Sequence, residues 1–155
     1  MNRFLILIIL FVLISAPSMA KGHISDGLLK VYASGEDGPF LMLIEMRRQS
    51  LRDGLSAQFY NTGLIEKMGW YKQEVLEGVY QSFWPDGKQK SVLDYKNGLL
   101  NGRVNLYDES GRPEIMLTYE KGVLHGQGEY YENGVLTRTV IYDHGWAMVM
   151  DYPEM

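Results

Sequence analysis

The residues with the chemistry of an active or binding site are the three histidines and the glycines around one of them. His125 opens the string "HGQG", where a catalytic histidine or a phosphate-binding glycine loop is conceivable. The "GQG" part lacks the third glycine and the following helix that a dinucleotide-binding loop requires. A general base needs a positioned partner, and the sequence around His125 offers none. We therefore predict a structural role for His125 and no phosphate site.

The other combinations of polar residues fit no known catalytic or metal-binding pattern. Asp143, His144 and Asp151 have ligand chemistry, but they lie in loop-like segments without cysteine or supporting partners. His144 in the string "DHG" and His23 near the N-terminus are expected to be solvent-exposed. Neither a G-x-S-x-G nor an H-E-x-x-H motif occurs. We predict no catalytic residue, no metal and no cofactor.

The composition excludes several classes of function for this 155-residue chain, whose length fits one domain. It has no cysteine, which excludes disulfides, zinc–thiolate centres and thiol catalysis. With 15 Lys and Arg against 19 Asp and Glu it is mildly acidic, whereas affinity for nucleic acid comes from cations against phosphates. The one basic cluster, Arg47 to Arg52, is expected to be a solvated strand end or turn. We predict no nucleic-acid partner.

Residues 1–20 have the layout of a secretory signal peptide. Asn2 and Arg3 precede an apolar run from Phe4 to Ile14, and Ser18 and Ala20 stand three and one residues before a cut after Ala20. That run is long enough for only about half of a ~30 Å hydrocarbon core at ~1.5 Å per residue, which disfavours the alternative of an uncleaved anchor. Cleavage would take the formal net charge from −4 to −5 through loss of Arg3. The mature chain is then expected in the periplasm or outside the cell.

A repeat of 24 residues organises the rest of the chain. Its copies begin at Gly54, Gly78, Gly102 and Gly126. A tyrosine follows late in each copy, at Tyr71, Tyr95, Tyr119 and Tyr142. An aromatic residue follows each starting glycine by five positions, at Phe59, Phe83, Tyr107 and Tyr131. A second glycine follows at Gly63, Gly87, Gly111 and Gly134, one residue earlier in the last copy. We place the four copies at 54–77, 78–101, 102–125 and 126–145.

Each copy has the composition of two strands and two turns. Turn strings such as "WPDG" and "YKNG" supply the positive backbone dihedrals that two-residue hairpin turns need. Between the turns, alternating residues such as Ile115, Leu117 and Tyr119 share one face. Gly78, Gly102 and Gly126 are expected to lie within strands, each covered by an aromatic side chain of the neighbouring strand. The pattern predicts an all-β protein, an elongated, curved antiparallel meander of about nine strands.

The two ends of the repeat array are predicted to be caps. Residues 21–53 comprise an N-terminal tail and a degenerate copy, in which Tyr32 follows Gly27 by five residues and Arg47 replaces the late tyrosine. Residues 146–155 would form the C-terminal cap, where Pro153 discourages the addition of another strand.

The stretch from Tyr119 to Gly134, with the pattern Y-x-x-G-x-x-H-G-x-G-x-Y-x-x-x-G, resembles the MORN repeat. Shorter forms at 71–87 and 95–111 resemble the bacterial variant of that repeat. Chains built mostly of such copies are similar to a bacterial group, the YwqK type, that is often labelled as antitoxins. The resemblance implies an elongated, curved antiparallel sheet that binds proteins or membranes and has no catalytic residues of its own.

Function is predicted to lie on whichever surface a single sheet leaves uncovered. Trp70, Trp84 and Trp146 are the candidate contact residues, because exposed tryptophans bind peptides and sugars; the alternative is that they pack over neighbouring strands. We predict an exported, non-enzymatic scaffold that binds another protein. The alternatives are a peripheral envelope module that binds lipid or cell-wall glycan, an antitoxin- or immunity-type protein, and an enzyme whose site lies outside known motifs.

Overall fold

The structure is a computed structural model that describes residues 7–8, 26–35 and 38–148. In these residues it is all-β, as predicted. The strands are β1 (Leu7–Ile8), β2 (Gly27–Gly35), β3 (Gly38–Arg48), β4 (Leu51–Phe59), β5 (Ile65–Lys72), β6 (Val75–Phe83), β7 (Gln89–Lys96), β8 (Leu99–Tyr107), β9 (Pro113–Glu120), β10 (Val123–Leu124), β11 (Gly126–Glu132), β12 (Val135–Asp143) and β13 (Trp146–Met148). The described part of the chain includes no helix that could cross a membrane.

The strands form one antiparallel meander in chain order. The sheet runs from β1 to β9 and continues through β11, β12 and β13, while the short β10 pairs with β9. Twelve strands lie on this path, against the nine or so predicted. The main reason is that the degenerate copy forms a complete hairpin, with strands of 9 and 11 residues in β2 and β3. Of the predicted leader 1–20, only β1 is described, and of the predicted C-terminal cap only β13; the other residues of both segments lie outside the described residues.

The 24-residue period corresponds to a fixed register within each hairpin. The glycine that starts a copy is the direct cross-strand partner of the late tyrosine in the same copy. These pairs are Gly54–Tyr71, Gly78–Tyr95, Gly102–Tyr119 and Gly126–Tyr142. In the degenerate copy Gly27 pairs with Arg47, the residue that replaces the tyrosine. The capping copy therefore keeps the geometry of the repeat after losing much of its sequence.

The starting glycines have a role different from the one we expected. Gly102 lies in a bulge, because its strand β8 has two extra residues where it passes Asp94 of β7. Its φ of +124° strongly favours glycine, and an added Cβ would lie 2.7 Å from the Asp94 carboxylate. An added Cβ would lie 2.9 Å from Met46 at Gly54 and 3.6 Å, an ordinary van der Waals distance, from Thr118 at Gly126. At Gly78 it would have no atom within 4 Å. The prediction that aromatic rings cover Gly78, Gly102 and Gly126 is wrong.

Aromatic rings do cover two other glycines of the sheet. An added Cβ would lie 2.8 Å from the Tyr80 ring at Gly69, and 2.8 Å from the Tyr142 ring at Gly128. Both glycines are buried. The close packing of ring against backbone that we predicted therefore occurs, but at positions outside the repeat pattern.

Two kinds of turn bound the sheet on its two long edges. One edge, which we call the short-turn edge, consists of two-residue turns at 49–50, 73–74, 97–98, 121–122 and 144–145, in which both residues have positive φ. The other, the loop edge, has three-residue loops after Tyr60, Trp84 and Asp108, each with a glycine at a φ of 84° to 86°. The last copy instead has the two-residue turn 133–134 on the loop edge. That smaller turn explains why its second glycine comes one residue early.

A single layer of strands gives this protein a thin core. One face, which we call the tyrosine face, carries the late tyrosines and the rows Leu93–Val104–Leu117 and Leu106–Ile115–Tyr130. Among the described residues, the buried apolar side chains are few and small: Val31, Ala33, Ala57 and Val104. Most other apolar side chains are half-buried, so cross-strand pairs within the sheet supply most of its stabilising contacts.

Candidate functional site

The sheet face opposite the tyrosines, which we call the open face, carries most of the exposed apolar surface. Paired residues share a face and successive residues alternate, so the register assigns each side chain to one side. In the described part of the chain, thirteen large apolar residues are exposed, and this criterion places the following ten of them on the open face. They are Leu28, Met46, Leu51, Trp70, Val75, Val79, Leu99, Val123, Trp146 and Met148. Patches of this kind mark interaction sites more often than scattered single residues do.

Five of these residues form a regular line along the short-turn edge, which we call the apolar ladder. It consists of Leu51, Val75, Leu99, Val123 and Trp146, each the first residue after a two-residue turn. Their exposed fractions range from 40% for Leu51 to 80% for Trp146. Since neighbouring strands lie ~4.8 Å apart, successive members stand about 10 Å apart along a line of about 40 Å. The ladder repeats with the 24-residue period and is a property of the whole array.

The turn glycines allow the ladder to form a nearly continuous surface. A Cβ added at Gly98 would lie 3.2 Å from Val75, and one added at Gly122 would lie 3.6 Å from Leu99. Gly145 likewise leaves room beside Val123. Each apolar side chain thus packs beside the turn of the next hairpin, with no side chain between them.

Charged residues accompany the ladder with a change of sign along its length. The cross-strand partners of the first three members are Arg48, Lys72 and Lys96. The partners of the last two are Glu120 and Asp143. All five are exposed. The side chains directly across from the ladder are therefore basic at its first three positions and acidic at its last two, where Glu120 also forms an ion pair of 3.6 Å with Lys121 of the adjoining turn.

The equivalent line on the loop edge is mixed in character. The residues that follow its turns are Leu64, Lys88, Arg112 and Val135. Lys88 Nζ forms an ion pair of 2.7 Å with Asp86, and Arg112 Nε one of 2.8 Å with Asp108. These contacts lower the pKa of Asp86, mainly through the side-chain hydrogen bond from Lys88, and that of Asp108, mainly through the backbone hydrogen bond from Arg112. The two long edges of one sheet thus differ in chemistry although their strands are the same.

The three candidate tryptophans do not lie together. Trp146 belongs to the apolar ladder, and Trp70 lies on the open face with 53% of its surface exposed. Trp84 lies on the loop edge, where it is half-buried, donates its indole N–H to the Tyr107 carbonyl (3.3 Å) and has Lys90 Nζ 4.3 Å from a ring centre. Seven strand spacings separate β5 from β13, about 34 Å. Two of the three candidates therefore share the open face, and Trp84 packs against the neighbouring copy.

His125 has a partner that its sequence neighbourhood did not reveal. Its Nδ1 lies 3.4 Å from Asp143 Oδ1, and His144 Nδ1 lies 2.6 Å from the same oxygen. The two imidazole rings stand 5.5 Å apart, centre to centre. Of the group named from the sequence, Asp143 and His144 are together, and Asp151 lies outside the described residues. The 24-residue period could have indicated this contact. In other copies, too, the residue before the starting glycine lies beside the short turn that ends the same copy.

A surface concavity of about 680 Å³ lies between β9, β11 and β12. Its lining includes Glu114, Tyr130, Tyr131 and Arg138, with the Arg138 guanidinium 4.2 Å from the centre of the Tyr130 ring. The hydrogen bond that Tyr130 shares with Tyr142 (2.5 Å) raises the pKa of Tyr130, and one to Glu129 raises that of Tyr131. Raised phenol pKa values keep these groups neutral and make them poor bases. The concavity therefore offers hydrogen-bonding groups and no activated nucleophile.

The apolar ladder was not predicted from the sequence, because the residues that form it are ordinary apolar residues next to turns. Aligning the copies on the turns, and not on the starting glycines, would have shown a Leu or Val after each turn and Trp146 after the last. The tyrosines and glycines were more conspicuous, but they serve the register and the bulges.

Comparison with known proteins agrees with this architecture. The family model described as the MORN repeat variant matches residues 76–97 and 124–144. Both matches begin in the first strand of a hairpin or just before it and end near the following short turn. No curated protein matches the chain. MORN repeats generally form protein- or membrane-binding modules and are not catalytic.

Proposed function

We propose that this chain is an exported, non-enzymatic repeat scaffold that binds another protein along the apolar ladder and the adjoining open face. The observation that carries the proposal is the line of five exposed apolar residues, one for each turn of the short-turn edge. Protein interfaces have an apolar centre enriched in aromatic residues and a polar rim. The ladder, with Trp146 and the charged residues beside it, has that composition.

The distribution of charge favours a protein over a membrane as the partner. A surface that is basic beside Leu51 and acidic beside Trp146 suits a partner whose charges run in the opposite order. An anionic bilayer would attract Arg48, Lys72 and Lys96 but repel Glu120 and Asp143. The partner expected on this basis presents an elongated apolar strip with acidic groups toward one end and basic groups toward the other.

A second candidate function is binding to the cell envelope through lipid or cell-wall glycan. It is favoured by Trp146, since exposed tryptophans insert at membrane interfaces and stack on sugars, and by the three basic residues of the first half of the edge. The antitoxin- or immunity-type function rests on the sequence resemblance alone. Export rests on the layout of residues 1–20.

A three-site variant of the ladder tests the protein-binding proposal. Val75→Thr, Leu99→Thr and Val123→Thr replace exposed apolar side chains with a polar residue of high strand propensity, so the hairpins should still form. Chemical cross-linking in the cell of origin, followed by mass spectrometry, should identify a partner attached beside the ladder of the wild type. The purified partner should then bind the variant at least about tenfold more weakly, a loss of ~1.4 kcal/mol or more.

A matched control changes two exposed apolar residues that lie outside both the ladder and the open face. Leu64→Thr with Val135→Thr changes two residues of the loop edge, whose exposed fractions of 43% and 67% are at least as large as that of Val75 in the ladder. This control should bind the partner with wild-type affinity. Equal binding by both variants would refute the ladder as the contact surface. Sedimentation of the wild type with liposomes or peptidoglycan, lost in the ladder variant, would support the envelope function instead.

A further inference from the structure

Three metal-binding side chains converge at the last turn of the short-turn edge. His125 lies between β10 and β11, Asp143 ends β12, and His144 is the first residue of the turn 144–145. One possible ligand atom of each lies within 4.8 Å of the other two. The exposed fractions of the side chains are 43%, 53% and 84%, so an ion can reach them from solvent.

The repeat geometry produces this convergence. In three other hairpins the residue before the starting glycine accepts a hydrogen bond from the backbone N–H of the first turn residue. These bonds are Gln49 N–H to Asp26 (2.7 Å), Asn97 N–H to Glu77 (2.7 Å) and Lys121 N–H to Asn101 (3.1 Å). In the last hairpin the same two positions are occupied by His125 and His144. Asp143, the last residue of β12, directly precedes His144. Only there do the side chains form an imidazole–carboxylate–imidazole group.

We propose that His125, Asp143 and His144 form a binding site for a zinc ion. Two imidazole nitrogens and a carboxylate oxygen are a ligand set that zinc accepts, at bond lengths of about 2.0–2.2 Å. Two ligands of a tetrahedral ion with such bonds stand about 3.4 Å apart, and His125 Nδ1 and Asp143 Oδ1 are 3.4 Å apart. At His144, zinc would take the place of the hydrogen bond to Asp143. The fourth position of the ion would be open to water or to a ligand from another molecule.

The location of the site suggests what zinc would do for the fold. His125 lies just before β11, Asp143 ends β12 and His144 begins the turn that follows, so one ion would join the two open ends of the hairpin formed by β11 and β12. The same turn carries Trp146, the cross-strand partner of Asp143. Zinc binding should therefore hold the end of the apolar ladder in place. The proposal does not depend on the protein-binding function, because the site can be tested with the metal alone.

Substitutions taken from the other copies remove the ligands without disturbing the hairpin. His125→Asn introduces the residue found at the equivalent position 101. His144→Asn introduces the residue that occupies the first position of turns 97–98 and 133–134, with φ of 51° and 53° against 49° at His144. The control His23→Asn changes the third histidine of the chain, which lies outside the described residues.

Calorimetric titration of the tag-free full chain with Zn²⁺ tests the site. The wild type and His23→Asn should bind one ion per chain with the same affinity. His125→Asn and His144→Asn should each bind zinc at least about tenfold more weakly. Loss of a residue that only hydrogen-bonds to a metal ligand already lowers metal affinity by about 10- to 100-fold. Cobalt(II) should give a visible absorption band that both of these variants lose. Wild-type affinity in either variant, or no zinc binding by the wild type, would overturn the proposal.

A grafted second site tests whether the repeat geometry is responsible. Asn101→His, Glu120→Asp and Lys121→His place the same three residues in the preceding hairpin, where Lys121 has a φ of 50°. This triple variant should bind two zinc ions per chain. A stoichiometry that stays at one would contradict the claim that the register of the hairpin assembles the site.

Discussion

At the scale of single residues, the glycines of this sheet fall into two groups with different physical requirements. Gly102 has a positive φ within a bulge, so its backbone conformation requires glycine. Gly128 has a φ that other residues adopt, but an added Cβ would meet the Tyr142 ring at 2.8 Å and Leu117 Cδ2 at 2.9 Å. At position 128 glycine is therefore required by the close packing of these side chains and not by the backbone conformation.

The substitution Gly128→Ala should therefore destabilise the protein through steric overlap with Tyr142. We expect a loss of about 1–3 kcal/mol in the free energy of unfolding, as for other overpacked sites. Urea denaturation of the wild type and the variant measures it. In a Tyr142→Ala background the ring is gone and the contact with Leu117 remains, so the same change should cost less. An equal cost in both backgrounds would show that the ring is not the cause.

At the scale of the hairpin, turn type follows from the residues that can adopt positive φ. The turn 97–98 consists of Asn and Gly, the pair best suited to a two-residue turn with two positive φ angles. The turns 49–50 and 73–74 have the same geometry with no glycine, and Ser50 and Glu74 adopt φ of 66° and 68°. Glu74 compensates by accepting hydrogen bonds from the backbone N–H (2.5 Å) and the guanidinium (2.6 Å) of Arg52, which lower its pKa.

Exchanging turn residues between copies should move stability in a predictable direction. Gln49→Asn with Ser50→Gly removes the backbone strain of Ser50 at a φ of 66°. The double variant should be more stable than the wild type by about 0.5–1 kcal/mol. The reciprocal change, Asn97→Gln with Gly98→Ser, should destabilise it by at least as much, since a new side chain at 98 would also approach Val75. Thermal unfolding of the two variants measures both effects. Shifts of the same sign would contradict this explanation.

The sequence was sufficient at this scale wherever the interactions are local. The glycine-rich turn strings, the alternating strands and the 24-residue period predicted hairpins correctly because turn conformation and strand pleat depend on residues close in the chain. The prediction of aromatic cover over Gly78, Gly102 and Gly126 was wrong because such cover depends on the register between consecutive hairpins. That register includes a bulge of two residues that no local pattern reveals.

At the scale of the whole molecule, stability is expected to vary along the array. Each hairpin contacts mainly its neighbours, as in other repeat proteins, so the ends can open without the middle. The first five residues of β12 and all of β13 are exposed, whereas Ser91 in β7 and Val104 in β8 are buried. The C-terminal hairpin is therefore the least protected part of the described repeats.

Hydrogen exchange followed by mass spectrometry should show this gradient. Backbone amides of β12 and β13 should exchange at least about tenfold faster than those of β7 and β8, since local opening needs less free energy than global unfolding. Val104→Ala should speed exchange in β7 to β9 and leave β12 and β13 little changed. Uniform protection from β4 to β13 would instead indicate one cooperative unit.

The sequence by itself determined the all-β class, the hairpin repeat, its period and the approximate copies, because periodic glycines, tyrosines and turn residues act through local conformation. It also indicated a single sheet with an uncovered face. The tertiary structure decided which face is open, because the face of each side chain depends on cross-strand register and bulges. It likewise decided that Leu51, Val75, Leu99, Val123 and Trp146 align, and that His125 meets Asp143 and His144. Those groupings join residues 18 or more positions apart. Strand pairing within the last hairpin brings the histidines and Asp143 together, and the stacking of one hairpin's turn beside the next aligns the ladder.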